Sequence, residues 1–219
     1  MTSTPSLDDY TGQQDDQSDS LLSMRDMSER IRIVYIVSSL QNCGPTTQLY
    51  NLISHLNPKY FNITIVTLSP ESKLTRWACF AKLGISLYSL SKKRLVLFST
   101  LVSCLIPLLD QIKPHIVHTQ GIRADYLSNK LPKYIHRITT QRNVPTVDYT
   151  LQYGRLIGLA LARLHLHVIS RIPNVIACSD SIAVDLRRRK IITRMIRNGV
   201  DLRLGQHLVT SEEKSRHRT

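Results

Sequence analysis

The sequence predicts an α/β fold, a doubly wound, Rossmann-like parallel sheet with helices on both faces. Three observations point to it. Short β-branched runs such as Ile31–Ser38 (IRIVYIVS) are apolar throughout instead of alternating, as strands covered on both faces must be. A helix-periodic or helix-length segment follows most of these runs, and the alternation repeats six times. The 219 residues suffice for one sizeable core and are too few for two ordinary domains with linkers.

The elements follow in order. Residues 1–29 are rich in Ser, Asp, Gln and Thr and are expected to be a disordered acidic tail. Ile31–Ser38 is the first strand and Gln41–Pro45 a turn. Thr46–Leu56 carries Leu49, Leu52, Ile53 and Leu56 at the spacing of one helix face, with Thr46 as its N-cap. Phe61–Leu68 is a strand, Lys73–Leu83 a helix and Ile85–Leu90 a short strand. Leu95–Ile112 is a long apolar helix containing Pro107. His115–Thr119 is a strand, Ala124–Leu131 a helix and Arg137–Gln141 a strand. Tyr149–Ile172 reads as one long helix, in which Gly154 and Gly158 permit close packing. Asn174–Ser179 is a strand capped by Ser179 or Asp180 into a helix through Arg189. Arg194–Ile196 is the last strand before Asn198-Gly199. The domain is expected over 30–201, with a polar tail over 202–219.

Charge is uneven. The chain carries a formal +13, yet residues 1–30 hold seven acids and two bases, so the rest has 27 bases against nine acids. Such a basic body suits an anionic partner or is in part a solvated surface. Nucleic acid is not expected, because no aromatic-rich sheet motif, zinc pattern or helical reader accompanies the charge. The four cysteines form no CxxC pair and are read as reduced thiols of a cytoplasmic protein, with no metal site and no cofactor. The acidic N-terminus does not resemble a secretory signal. The most apolar uncharged run, Leu95–Leu109, is too short to span a membrane. Peripheral contact with a membrane face is left open, with Lys92-Lys93-Arg94 as one place for anionic lipid.

In doubly wound sheets ligands bind beyond the carboxyl ends of the strands. Four loops lie there. Gln41–Thr47 sets Gly44 before a helix N-terminus, an arrangement that suits a phosphate or is a plain strand–helix turn. His118 stands beside Gln120, Gly121, Arg123 and Asp125. A neutral imidazole there can meet a sugar hydroxyl or serve structure alone. Arg142 follows a strand, and its planar fork suits an anion. Asn198-Gly199 is an ordinary turn pair.

Taken together, these loops resemble the N-terminal domain of family-4 glycosyltransferases of the GT-B type. The stretches are IRIVYIVSSLQNCGPTTQLYNLISHL, KPHIVHTQGIRADYLS, TTQRNVPTVDYTLQYGRLIGLALARLHLHVI, NVIACSDSIAVDL and IRNGVD, in family order from Ile31 to Asp201. The resemblance implies transfer of a sugar from a nucleotide-sugar to a glycan or lipid-linked acceptor, generally with retention, in polysaccharide or glycoconjugate synthesis. By the same resemblance Cys43, Gly44, Pro45 and Thr46 face the donor phosphates, and His118 is the catalytic candidate near the reacting sugar. Gln120, Gly121, Arg123, Arg142 and Asn143 line the acceptor side, and Asn198 and Gly199 mark the crossing to a second domain. The chain departs from the family where Cys43 replaces a glycine and Gln120 a histidine. The family's donor domain carries two glutamates separated by seven residues. Glu29, Glu71, Glu212 and Glu213 include no such pair. The donor domain is therefore expected to be absent from this chain, and the chain alone to be inactive. Two alternatives stand beside that reading: a subunit completed in trans, and a non-catalytic basic module that binds an anionic glycolipid or membrane.

Overall fold

The computed structural model describes residues 29–72, 75–90 and 98–199. The tail over 1–28, Lys92–Arg94, Asp201 and the segment 202–219 lie outside them. A compact unit begins at Ile31.

Among the described residues seven strands form one wholly parallel sheet: β1 (Ile31–Val37), β2 (Phe61–Thr67), β3 (Ser86–Ser89), β4 (Ile116–Gln120), β5 (His136–Gln141), β6 (Asn174–Ala177) and β7 (Arg194–Met195). Their spatial order is β3-β2-β1-β4-β5-β6-β7. The chain builds outward from β1 to β3, then returns to the other side of β1 with β4. The order therefore reverses between β1 and β4, where a crevice must open at the strands' carboxyl ends.

The helices are α1 (Gly44–Ser54), α2 (Trp77–Ala81), α3 (Phe98–Ile112), α4 (Ile122–Ser128), α5 (Pro145–Tyr153), α6 (Arg155–Ile169) and α7 (Asp180–Arg188). They cover both faces, and β1 shows why its residues are apolar without alternation. Val34 and Ile36 pack with Leu101, Leu105 and Leu109 of α3 and Leu127 of α4. Ile33, Tyr35 and Val37, pointing the other way, pack with Leu49 and Ile53 of α1 and Phe80 of α2. A third cluster joins Leu166 and Ile169 of α6 to Val175 of β6 and Leu186 of α7.

Two sequence expectations are corrected. Thr46 is not the N-cap of its helix. Cys43 is, and α1 starts at Gly44, because Pro45 fits the first helical turn, where no N–H is required. The stretch 149–172 is not one helix. It breaks at Gly154, whose φ of 77° and ψ of 168° lie outside the helical region. The apolar period runs on through the break, which hid it. Gly158 does act as expected: a Cβ there would overlap the Tyr149 carbonyl oxygen and the Thr150 backbone, so α5 and α6 cross in direct backbone contact. Ser179 caps α7, accepting from the Ile182 N–H.

Candidate functional site

The carboxyl ends of β1, β4 and β5 meet at one crevice. Val37 lies opposite Gln120 in register, so the loop after β1 faces the loop after β4. Between them, and up to Arg142 and Asn143 beyond β5, lies a cleft of about 240 Å³. One wall is the start of α1, where no side chain caps the first turn and no acid stands in it. Its amide N–H groups and positive dipole end therefore face the cleft uncompensated. Gly44 itself has ordinary backbone angles and open space where a Cβ would sit, so the turn does not require glycine there. Gly121 does require it, since its φ is 90°.

The opposite wall presents donors. Gln120 Nε2 and Arg142 Nε are buried and meet no hydrogen-bond partner among the described residues. Buried donors of this kind are costly unless something completes them. Arg142 is held in place by Nη1, which donates to Asn198 Oδ1 at 2.7 Å. Asn143 donates to Asp148 Oδ2 at 2.6 Å.

His118 faces a second, more apolar groove of about 510 Å³, bounded by α1 and by Ile196, Asn198 and Gly199. Thr140 and Arg142 line both spaces and separate them. His118 sits in the middle of β4, against Tyr35, with ring centroids 5.0 Å apart. Its Nε2 meets Thr140 Oγ1 at 2.8 Å. Burial, reinforced by the Arg142 charge and opposed by Asp125, pushes its pKa down to about 4. The imidazole is therefore neutral near pH 7.

Beneath the first cleft runs a buried network centred on Asp125, which is wholly inaccessible. Its Oδ1 accepts from Thr119 at 2.5 Å and Thr139 at 2.7 Å. Its Oδ2 accepts from Gln141 Nε2 at 3.1 Å and His165 Nε2 at 2.8 Å. Because a carboxylate only accepts, Nε2 of His165 donates to it, and His165 Nδ1 meets the Tyr149 hydroxyl at 2.8 Å. Burial, with the nearby Asp125 charge, pushes the Tyr149 phenol far above its ordinary range. The carboxylate thus ties β4, β5, α4, α5 and α6 together, and Gln141, Tyr149 and His165 form part of the cleft wall.

The same span of chain carries a family signature: residues 43–204 match Glycosyltransferase Family 4. The chain belongs to that family. No curated protein matches the sequence. Among solved structures, this family-4 domain is similar to sucrose-phosphate synthase from Thermosynechococcus elongatus (TM-score 0.61, 16% identity, 80% of this chain and 50% of that one). It is similar to HepE of Anabaena in complex with UDP (0.61, 13%, 86% and 49%). It is also similar to UDP-N-acetylglucosamine 2-epimerase from Rickettsia bellii (0.55, 11%, 87% and 52%). The chain spans about half the length of these structures. Since a synthase and an epimerase share the sheet, the fold alone does not specify transfer. The family match supplies the class, a glycosyltransferase domain.

Within the family-4 domain the expected residues divide. Cys43, Pro45, Thr46, Gln120, Gly121, Arg142 and Asn143 line the first cleft. His118, Asn198 and Gly199 line the second groove with Arg142. Arg123 borders neither; it donates to Ser69 Oγ at 2.6 Å and to the Leu68 carbonyl at 3.4 Å, turned toward the end of β2. Sequence reasoning missed Tyr149, His165 and Gln141. Tyr149 and His165 stand 16 residues apart on what reads as one helix and meet only because Gly154 folds it back. Asp125, an acid inside an otherwise helical apolar pattern, was the available signal.

Proposed function

We propose that the chain is the acceptor-side domain of an enzyme that transfers a sugar, of hexosyl type, from a nucleotide-sugar to a glycan or lipid-linked acceptor. The pathway is polysaccharide or glycoconjugate synthesis on the cytoplasmic side of the membrane. The single observation that carries this reading is the cleft at the β1/β4 reversal. It offers two buried, uncompleted donors, Gln120 Nε2 and Arg142 Nε, opposite an uncapped helix start. Sugar hydroxyl and ring oxygens are acceptors that would complete the first pair, and a diphosphate suits the second wall.

The residues divide the work by position. Arg142, fixed by Asn198, orients the acceptor through its fork. Neutral His118 faces the neighbouring groove across Thr140 and Arg142, where it supplies a hydrogen bond without a fixed charge to a ligand that extends past them. Cys43, Gly44, Pro45 and Thr46 approach the donor phosphates across the cleft. The Asp125 network keeps the cleft wall rigid, which sustains orientation. The nucleotide-sugar itself is held mainly by a second domain, so this chain acts as the half that receives it, in one polypeptide or completed in trans.

The test is the amide spectrum of the purified chain titrated with methyl hexosides, hexose 1-phosphates and UDP-hexoses. We expect shifts at Gln120, Gly121 and Asn143 that Arg142→Ala weakens at least tenfold. If none of these compounds perturbs the cleft, the reading fails.

A further inference from the structure

The longest unbroken exposed run among the described residues is Leu151–Ile157 (LQYGRLI), the turn that joins α5 to α6. Four of its seven residues are large and apolar: Leu151 is 82% exposed, Tyr153 48%, Leu156 85% and Ile157 61%. Core packing explains none of them. Gly158 and Tyr149, just inside the turn, form the tight crossing that pushes it outward. Val147, one helical turn before Leu151, and Leu164, two turns after Ile157, extend the same exposure along both helices. A turn that leaves this much apolar surface exposed marks a contact site.

Charge selects the occupant. Between Asp148 and Asp180 no acid occurs, while Arg155, Arg163 and Arg171 do, all exposed. A second copy of this +13 chain would set those arginines against like charge. A peptide partner wants a groove, and a run with seven successive exposed residues offers none. Apolar side chains at the tip, an interfacial tyrosine and flanking arginines match the headgroup boundary of an anionic bilayer. The placement also fits, because α5 starts at the cleft with Pro145 after Asn143 and carries Tyr149 in its wall.

We propose that the 151–157 turn inserts into the interfacial layer of an anionic lipid bilayer and so holds the first cleft against the membrane surface. The sequence pointed to Lys92–Arg94 for lipid, which lies outside the described residues. The turn is a different place and stands on its own exposure. Only the benefit to a lipid-linked acceptor rests on the function proposed above.

The experiment is sedimentation of the full 219-residue chain with phosphatidylcholine vesicles, with and without about one-third phosphatidylglycerol. We expect binding to the anionic vesicles, weakened by added salt. Leu156→Asp with Ile157→Asp should reduce it at least tenfold, whereas Ile192→Asp, at an equally exposed apolar site elsewhere, should not. Leu156→Trp should shift its emission to the blue on vesicle addition, over the constant background of Trp77. The proposal is overturned if the Asp variants bind as the wild type does. It is equally overturned if Leu156→Trp emission stays fixed, or if the turn mediates a dimer that the Asp variants dissolve. Arg142→Ala, which impairs the cleft, should leave vesicle binding intact. Loss of glycoside contacts with vesicle binding retained would sink the proposed function alone.

Discussion

His118 is a neutral hydrogen-bonding group because it is buried in β4 beside Arg142, and that state has a cost at low pH. Its pKa in the fold is about 4, whereas an unfolded histidine takes its proton near 6.5. Between those values the unfolded chain binds a proton that the folded chain does not, so stability falls as the pH drops through the window. The contribution is fully present above about pH 6.5 and gone near pH 4, a change of about 3 kcal/mol at most. We expect the urea midpoint to fall further between neutral pH and about pH 4.5 in the wild type than in His118→Gln. Equal falls would mean that His118 accepts a proton inside the fold. The reading of His118 as a neutral imidazole was available from sequence. Its separation from Gln120 was not. Residues two apart on a strand share a face, but Thr140 and Arg142 stand between the spaces the two side chains enter.

At the scale of elements, the α5–α6 pair is the feature most sensitive to single atoms. Gly158→Ala places a methyl group into the Tyr149 and Thr150 backbone. We expect a loss of about 1–3 kcal/mol in chemical denaturation. Gly44→Ala, with ordinary angles and open space, should be neutral or slightly stabilising, since alanine favours helix. If the two substitutions cost the same, the close crossing is wrong. Strands β1 and β2 were legible within a residue because a doubly covered strand is mostly apolar and β-branched, whereas the polar β4 and β5 were legible within a residue from their place in the alternation. The 149–172 stretch was misread for the opposite reason. An apolar repeat carries no mark of a break when both pieces are helical, and a glycine there equally reads as a packing residue.

For the whole molecule, the decisive expectation concerns turnover. The function proposed above leaves the nucleotide-sugar mainly to a second domain. Transfer needs a clamp for the leaving diphosphate and a second wall to exclude water, and the function proposed above assigns both to that second domain. We expect the purified 219-residue protein to consume no nucleotide-sugar when product is followed by mass spectrometry. Mixing with a separately made family-4 donor domain should restore transfer if the two halves assemble. Turnover by the chain alone would place donor-binding groups within these 219 residues and refute the division of labour.

The sequence by itself determined the parallel α/β class, the order of elements and the loops that surround the crevice. These follow from local period, turn residues and the rule that ligands gather at strand ends, all short-range information. The tertiary structure alone decided which of those loop residues share a cleft. It turned Arg123 away toward Ser69, left Gln120 and Arg142 with uncompleted donors, and joined Tyr149, His165 and Asp125 in one buried network. It also exposed the Leu151–Ile157 turn. Each of these depends on how separate elements pack against one another, and burial and hydrogen-bond partners are properties of that packing rather than of any stretch of chain.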